Sequence, residues 1–156
     1  MMKFIENMEK FVIYTDGGSR GNPGQAGAGA IVTDVSGKIL REACRALGVM
    51  TNNEAEYQAV ILGLETIKKQ IGKARASVAE IEIRLDSELV AKQLSGQYQI
   101  KETALMSLFM KIWNWRVKDF SNLTFTHISR EKNRRADDLA NQAMDESDHK
   151  LNRKLF

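Results

Sequence analysis

Residues 10–47 read KFVIYTDGGSRGNPGQAGAGAIVTDVSGKILREACRAL, and this stretch decides the architecture. Lys10 to Thr15 is rich in β-branched and aromatic residues and reads as a strand, with Asp16-Gly17-Gly18 as its end. Asn22-Pro23-Gly24 is a turn signal, because proline presets one backbone angle and glycine accepts the other. Gly27 to Val35 gives a second strand. Ser36-Gly37 turns the chain into a third, from Lys38 to about Leu47. Three strands joined by short turns form an antiparallel meander. The run Gly24–Gly29 lacks the Gly-Lys-Ser/Thr ending of a phosphate loop and leads into a strand, so it reads as a turn followed by a strand that lets another backbone approach closely.

Downstream of the meander the period changes. Thr51 with Glu54 three residues later makes a capping box for a helix from about Asn53 to Gln70, stopped at Gly72. Ala55, Ala59, Ile61, Leu62, Leu64 and Ile67 make this helix apolar around most of its circumference, which predicts a central, packed position. Glu80 to Leu85 (EIEIRL) alternates as a short strand ending at Asp86. Ser87 caps a helix to about Ser95. Thr103 to Lys118 repeats Leu105, Leu108, Phe109 and Ile112 at helical spacing, with Trp113 and Trp115 expected in the core. Leu123 to Ile128 is a fifth strand, and a last helix runs from Asn133 to about Met144. The order βββαβααβα predicts an α/β fold: a five-stranded mixed sheet flanked by helices. The expected organisation is an N-terminal extension (1–9), one domain (10–146) and a polar, frayed tail (147–156).

The 156 residues are 43% hydrophobic and 28% charged with a net charge of +3, ordinary for a soluble domain and only mildly favourable to a polyanion. Two basic clusters stand out, Lys68/Lys69/Lys73/Arg75 and Arg130/Lys132/Arg134/Arg135, and solvated surface is the simpler reading of each. One cysteine, Cys44, excludes an intrachain disulfide and reads as a buried free thiol in a reducing compartment. With acids inside the N-terminal stretch and no long apolar run, neither a secretory signal nor a membrane span is expected. The expectation is a cytoplasmic protein.

The chemistry lies in acids at element ends. Asp16 follows the first strand and Asp86 the fourth; if those strands are neighbours, both carboxylates project from one sheet edge. Glu56 is in the first turn of the central helix and Asp137 in that of the last. Carboxylates gathered this closely cannot all ionise without a cation, and an oxygen-only ligand set suits Mg²⁺ or Mn²⁺.

The segments Tyr14-Thr15-Asp16-Gly17-Gly18-Ser19-Arg20-Gly21-Asn22-Pro23-Gly24, Thr51-Asn52-Asn53-Glu54-Ala55-Glu56-Tyr57, Leu85-Asp86-Ser87-Glu88-Leu89 and Asn133-Arg134-Arg135-Ala136-Asp137-Asp138-Leu139-Ala140 resemble, in order, the four signatures of the type 1 ribonucleases H. The resemblance implies a ribonuclease H-like fold and a metal-dependent endoribonuclease. Such an enzyme cuts the RNA strand of an RNA/DNA hybrid with two ions, Mg²⁺ or Mn²⁺ in its place, and leaves a 5′-phosphate and a 3′-hydroxyl. It implies Asp16, Glu56, Asp86 and Asp137 as catalytic metal ligands, and it alone selects Glu56 over Glu54. Family spacing selects Asp137 over Asp138, and helix phase agrees: Asp137 borders the apolar face while Asp138 points to solvent. It implies substrate contacts at Asn22, Asn52 and Asn53 in the minor groove, with Thr51 near a phosphate and Glu88 where several relatives carry Gln. Asn22 and Asn52 also suit turn and cap roles. His127 has the spacing of a family histidine but falls inside the fifth strand and is expected to be structural; Arg130 is the expected assistant in proton traffic or product release.

The pattern further resembles a compact branch with no preceding hybrid-binding domain and no basic protrusion, since Ser95 to Glu102 is short. Weak, salt-dependent substrate binding follows. No organic cofactor or membrane partner is expected, and a monomer is. The alternatives are a non-catalytic nucleic-acid-binding domain of this fold, or a nuclease acting on double-stranded RNA or DNA junctions.

Overall fold

The computed structural model describes residues 8–155. Its sheet has the order β3-β2-β1-β4-β5, where β1 is Lys10–Gly21, β2 Gly24–Asp34, β3 Ile39–Met50, β4 Glu80–Leu85 and β5 Leu123–His127. The first three strands form the expected antiparallel meander, and β4 and β5 are added parallel to β1 by crossovers. Side-chain alternation fixes the register: in β4, Ile81, Ile83 and Leu85 are buried while Glu80, Glu82 and Arg84 are only partly so.

Helix α1 (Asn52–Ile71) is the expected central helix. Its Thr51 cap accepts a hydrogen bond from the Glu54 N–H at 3.2 Å, satisfying one of the orphan donors of the first turn. One sheet face packs on α1 and on the smaller helices α2 (Lys73–Val78), α3 (Glu88–Leu94) and α4 (Thr103–Lys118). At this interface Tyr57 is wholly buried and its hydroxyl donates to Gln93 Oε1 at 2.8 Å, as a buried phenol requires. The opposite face packs on α5 (Arg134–Leu155). A side chain on Gly29 would lie 2.4 Å from the Ala136 carbonyl oxygen, so α5 lies directly on the β2 backbone. This is the close approach expected of the glycine run.

Several expectations are corrected. β1 does not end at Asp16; it stays paired with β2 to the Gly21–Gly24 pair, because the glycines fit a tight hairpin without side-chain crowding. What stops there is the pairing of β1 with β4, whose last pair is Thr15–Leu85. The third strand reaches Met50, and the short helix α2 was not expected. The residues placed in a frayed tail from 147 belong to α5 as far as Leu155, because Arg20 reaches across to Asp145, at 2.6 Å, and to Asp148. Trp115 packs partly against the core, but Trp113 is 46% exposed, on a stripe with Met106, Met110 and Val117 that no described element covers. Cys44 is half-buried rather than buried. Most of the N-terminal extension (1–9) lies outside the described residues, but Glu9 is tied in by Arg75 at 2.6 and 2.7 Å. The first basic cluster is largely structural, with Lys68 and Lys73 both facing Asp119.

The adjacent glycines of β1 separate sharply. A Cβ on Gly17 would sit 2.1 Å from the Ala55 carbonyl oxygen, whereas one on Gly18 would meet only the Met144 methyl at 3.8 Å. Urea unfolding should show Gly17→Ala destabilised by at least about 1–3 kcal/mol, and Gly18→Ala within about 0.5 kcal/mol of the parent.

Candidate active site

β1 and β4 are parallel neighbours as far as Thr15 and Leu85, and the next residue on each is an aspartate. Asp16 and Asp86 therefore stand side by side where the two strands part. The first turns of α1 bring Glu56 over this point, and the first turn of α5 brings Asp137 from the other face. Carboxylate oxygens of Asp16, Glu56 and Asp86 lie within 4.8 Å of one another. Asp137 stands outside that trio, but its charge bears on the Asp16 carboxyl, so Asp16 is the carboxylate common to both sides. All four line one cavity of about 390 Å³, together with Asn52, Asn53, Ser87 and Arg130.

Burial sets the electrostatics. Asp16 is 7% exposed and Glu56 8%. Loss of water, then the charges of Asp86 and Asp137, push the Asp16 carboxyl up to about 8. Burial, followed by the charges of Asp16 and Asp86, raises Glu56 well above the usual carboxylate range. Like charges at this separation disfavour joint ionisation. Glu56 Oε2 is buried with no hydrogen-bond partner among the described residues. A divalent cation would resolve both strains, and the all-oxygen donor set fits a hard ion.

The two glutamates that sequence geometry left open lie in different places. Glu54 turns back to its cap, with Thr51 Oγ1 3.2 Å from its Oε1, while Glu56 faces the cavity. Asn52 and Asn53 line the cavity; Asn22, Thr51 and Glu88 do not. The turn and cap roles of the asparagines are visible: Asn22 Oδ1 accepts from the Asn52 N–H at 3.1 Å, and Asn52 Oδ1 accepts from the Ser19 N–H at 2.9 Å. Both bonds use the carbonyl ends, so the two side-chain NH₂ groups make no hydrogen bond among the described residues. Asn53 donates to Glu102 at 3.0 Å, and Glu88 pairs with Lys92 at 2.6 Å. His127 is the exposed last residue of β5 and lies off the cavity, whereas Arg130 lines it.

Sequence reasoning missed two contributors. Met144 lines the cavity and carried only the signal of an apolar helix face. Asn133 is buried at the end of a 3-10 turn (Arg130–Asn133) and donates to the Thr15 carbonyl at 2.8 Å and to Asp86 Oδ2 at 3.3 Å. Its one cue was its place at the start of the fourth motif.

Residues 14–143 match the family described as "Reverse transcriptase-like". Among curated proteins, the "Bifunctional protein Rv2228c" of Mycobacterium tuberculosis is 41% identical over 137 residues, covering 87% of this chain and 36% of that protein. The chain thus spans little more than a third of the length of the mycobacterial relatives it matches. A "Ribonuclease H" of Hydrogenovibrio crunogenus is 30% identical over 153 residues, covering 89% of this chain and 98% of that one. Among solved structures, LC11-RNase H1 in complex with an RNA/DNA hybrid superposes with a TM-score of 0.84 at 45% identity, covering 88% of this chain and 98% of that chain. With the Hydrogenovibrio protein and LC11-RNase H1 each matched almost end to end, the chain belongs to the type 1 ribonuclease H family.

Proposed function

We propose that this protein hydrolyses the RNA strand of RNA/DNA hybrids at a divalent-metal centre held by Asp16, Glu56, Asp86 and Asp137, leaving a 5′-phosphate and a 3′-hydroxyl. One observation carries the reading: three carboxylate oxygens converge within 4.8 Å on a cavity open to a polymer, and burial makes their joint ionisation unfavourable without a cation. The hybrid-bound LC11-RNase H1 relative supports the substrate.

When bound, divalent cations neutralise the phosphodiester, acidify the attacking water and stabilise the leaving oxygen. The residues hold and aim. Asp16, between the Glu56/Asp86 side and Asp137, would hold divalent cation together with either, Mg²⁺ or Mn²⁺ in its place. The free NH₂ groups of Asn22 and Asn52 donate to acceptors in the minor groove, including the 2′-hydroxyl that distinguishes RNA from DNA. Asn53 joins them on leaving Glu102. Thr51 sits near a phosphate and Glu88 at the substrate margin. Arg130 assists proton traffic or product release, and His127 takes no part. The same reading makes the protein a cytoplasmic monomer without an organic cofactor; its single cysteine suits a reducing compartment.

Side-by-side digestion of labelled hybrid, double-stranded RNA and DNA in Mg²⁺ or Mn²⁺ should give cleavage of the hybrid's RNA strand alone. Inactivity on all three, or equal cutting of double-stranded RNA, would count against the proposal. In the same assay Asp16→Asn and Asp137→Asn should abolish cleavage, and Asp138→Asn should stay within about twofold of the parent.

Linkage gives a second test. The Asp16 carboxyl rises from 3.8 to about 8 in the fold, so its contribution to stability is complete below the unfolded value and is lost as pH rises toward 8. The metal-free protein should therefore lose thermal stability between about pH 4 and 8. Asp16→Asn should flatten that slope and melt at least about 3 °C higher at neutral pH. Mg²⁺ should raise the parent's Tm more at pH 8 than at pH 5 because protons compete for the same oxygens. A pH-independent Mg²⁺ effect would contradict this.

A further inference from the structure

Asn133 is 1% exposed, yet only half of its amide is used. Its NH₂ group donates to the Thr15 carbonyl at 2.8 Å and to Asp86 Oδ2 at 3.3 Å, while its own Oδ1 is buried with no partner among the described residues. Buried amides usually satisfy both ends. A side chain retained only for folding has no reason to leave its acceptor orphaned, and an orphaned acceptor is destabilising.

Both acceptors stand where the sheet opens. The β1–β4 ladder ends at Thr15–Leu85, and one NH₂ group spans the gap beyond it, one proton to each strand. The first of those strands presents Asp16 in its next residue, and the second has just presented Asp86. Asn133 itself closes the turn that carries Arg130 to the cavity, and it leads into α5, whose first turn carries Asp137. With Oδ2 held, Asp86 keeps one oxygen free of protein donors among the described residues.

We propose that Asn133 is a positioning residue for the metal centre: it fixes the Asp86 carboxylate and the spacing of Asp16 and Asp86 at the strand fork, and so sets the affinity of the site for divalent cation. The inference rests on the metal-dependent reading above. Partners that orient ligands in this way typically govern metal affinity by 10–100-fold. Their loss acts on cation binding before it acts on the chemical step.

The test uses Asn133→Ala, Asn133→Leu, which keeps a branched side chain of similar size without the amide, and Ile31→Val as a control, since Ile31 is buried in the same sheet–α5 contact beside Ala136 and Leu139. Mn²⁺ binding to each protein without nucleic acid is titrated by electron paramagnetic resonance. Tm is measured alongside, with hybrid cleavage as a function of Mg²⁺. Both Asn133 variants should bind Mn²⁺ about 10–100-fold more weakly, with the Mg²⁺ half-saturation raised to match and most of the rate recovered at saturating Mg²⁺. Ile31→Val should lose Tm and keep the parent's Mn²⁺ affinity. Should Asn133→Ala fail to fold, Asn133→Leu decides alone. Parent-like Mn²⁺ affinity in the folded Asn133 variants, or an equal affinity loss in Ile31→Val, overturns the positioning role while leaving the proposed function standing. A parent protein that binds no Mn²⁺ and cuts no hybrid overturns both.

Discussion

Repulsion among buried carboxylates is the constraint around which the rest is arranged. Asp16, Glu56 and Asp86 place oxygens within 4.8 Å of one another, two of them on side chains nearly removed from water. Unfolding would relieve the repulsion, so the elements carrying these groups must be held by forces indifferent to it. Close backbone contact supplies them. α1 sits against Gly17 and α5 against Gly29, at separations that admit no side chain, and the Thr51 cap anchors the start of α1. Neither helix can drift outward to relax the acids without abandoning contacts with the sheet.

That arrangement explains where the sequence was legible. Strands with β-branched alternation, such as EIEIRL before Asp86, announce themselves because one face is buried and the other is not. The parallel pairing of β1 with β4, and with it the adjacency of Asp16 and Asp86, stayed conditional in the sequence, because the order of elements does not fix which strand of the meander takes β4 as its neighbour. Helix phase separates Asp137 from Asp138 because α5 has one apolar stripe. The same method fails on α1: buried nearly all round, the helix offers no phase to tell Glu54 from Glu56, and the motif resemblance had to choose. In the structure the choice is physical, since Glu54 turns back to Thr51.

What stayed hidden was tertiary. The glycines after Asp16 read as a turn because local propensity cannot register the tight hairpin partner that keeps β1 extended to Gly21. Trp113 was expected inside because its spacing fits an apolar band, yet no described element covers that side of α4. Asn133 carries no periodicity at all; its importance lies in two acceptors 118 and 47 residues away.

The bond between Arg20 and the end of α5 has a further bearing. Its acidic partners lie 125 and 128 positions along the chain, beyond Asp137 and therefore beyond every acid of the cluster. During synthesis the sheet and α1 emerge first and carry Asp16, Glu56 and Asp86 with them, but the face of β2 awaiting α5 stays bare until residues 134–155 follow. The quartet is completed only when α5 emerges, and Arg20 latches that helix after Asp137 has passed. Until then the nascent chain carries three of the four acids without the assembled cluster.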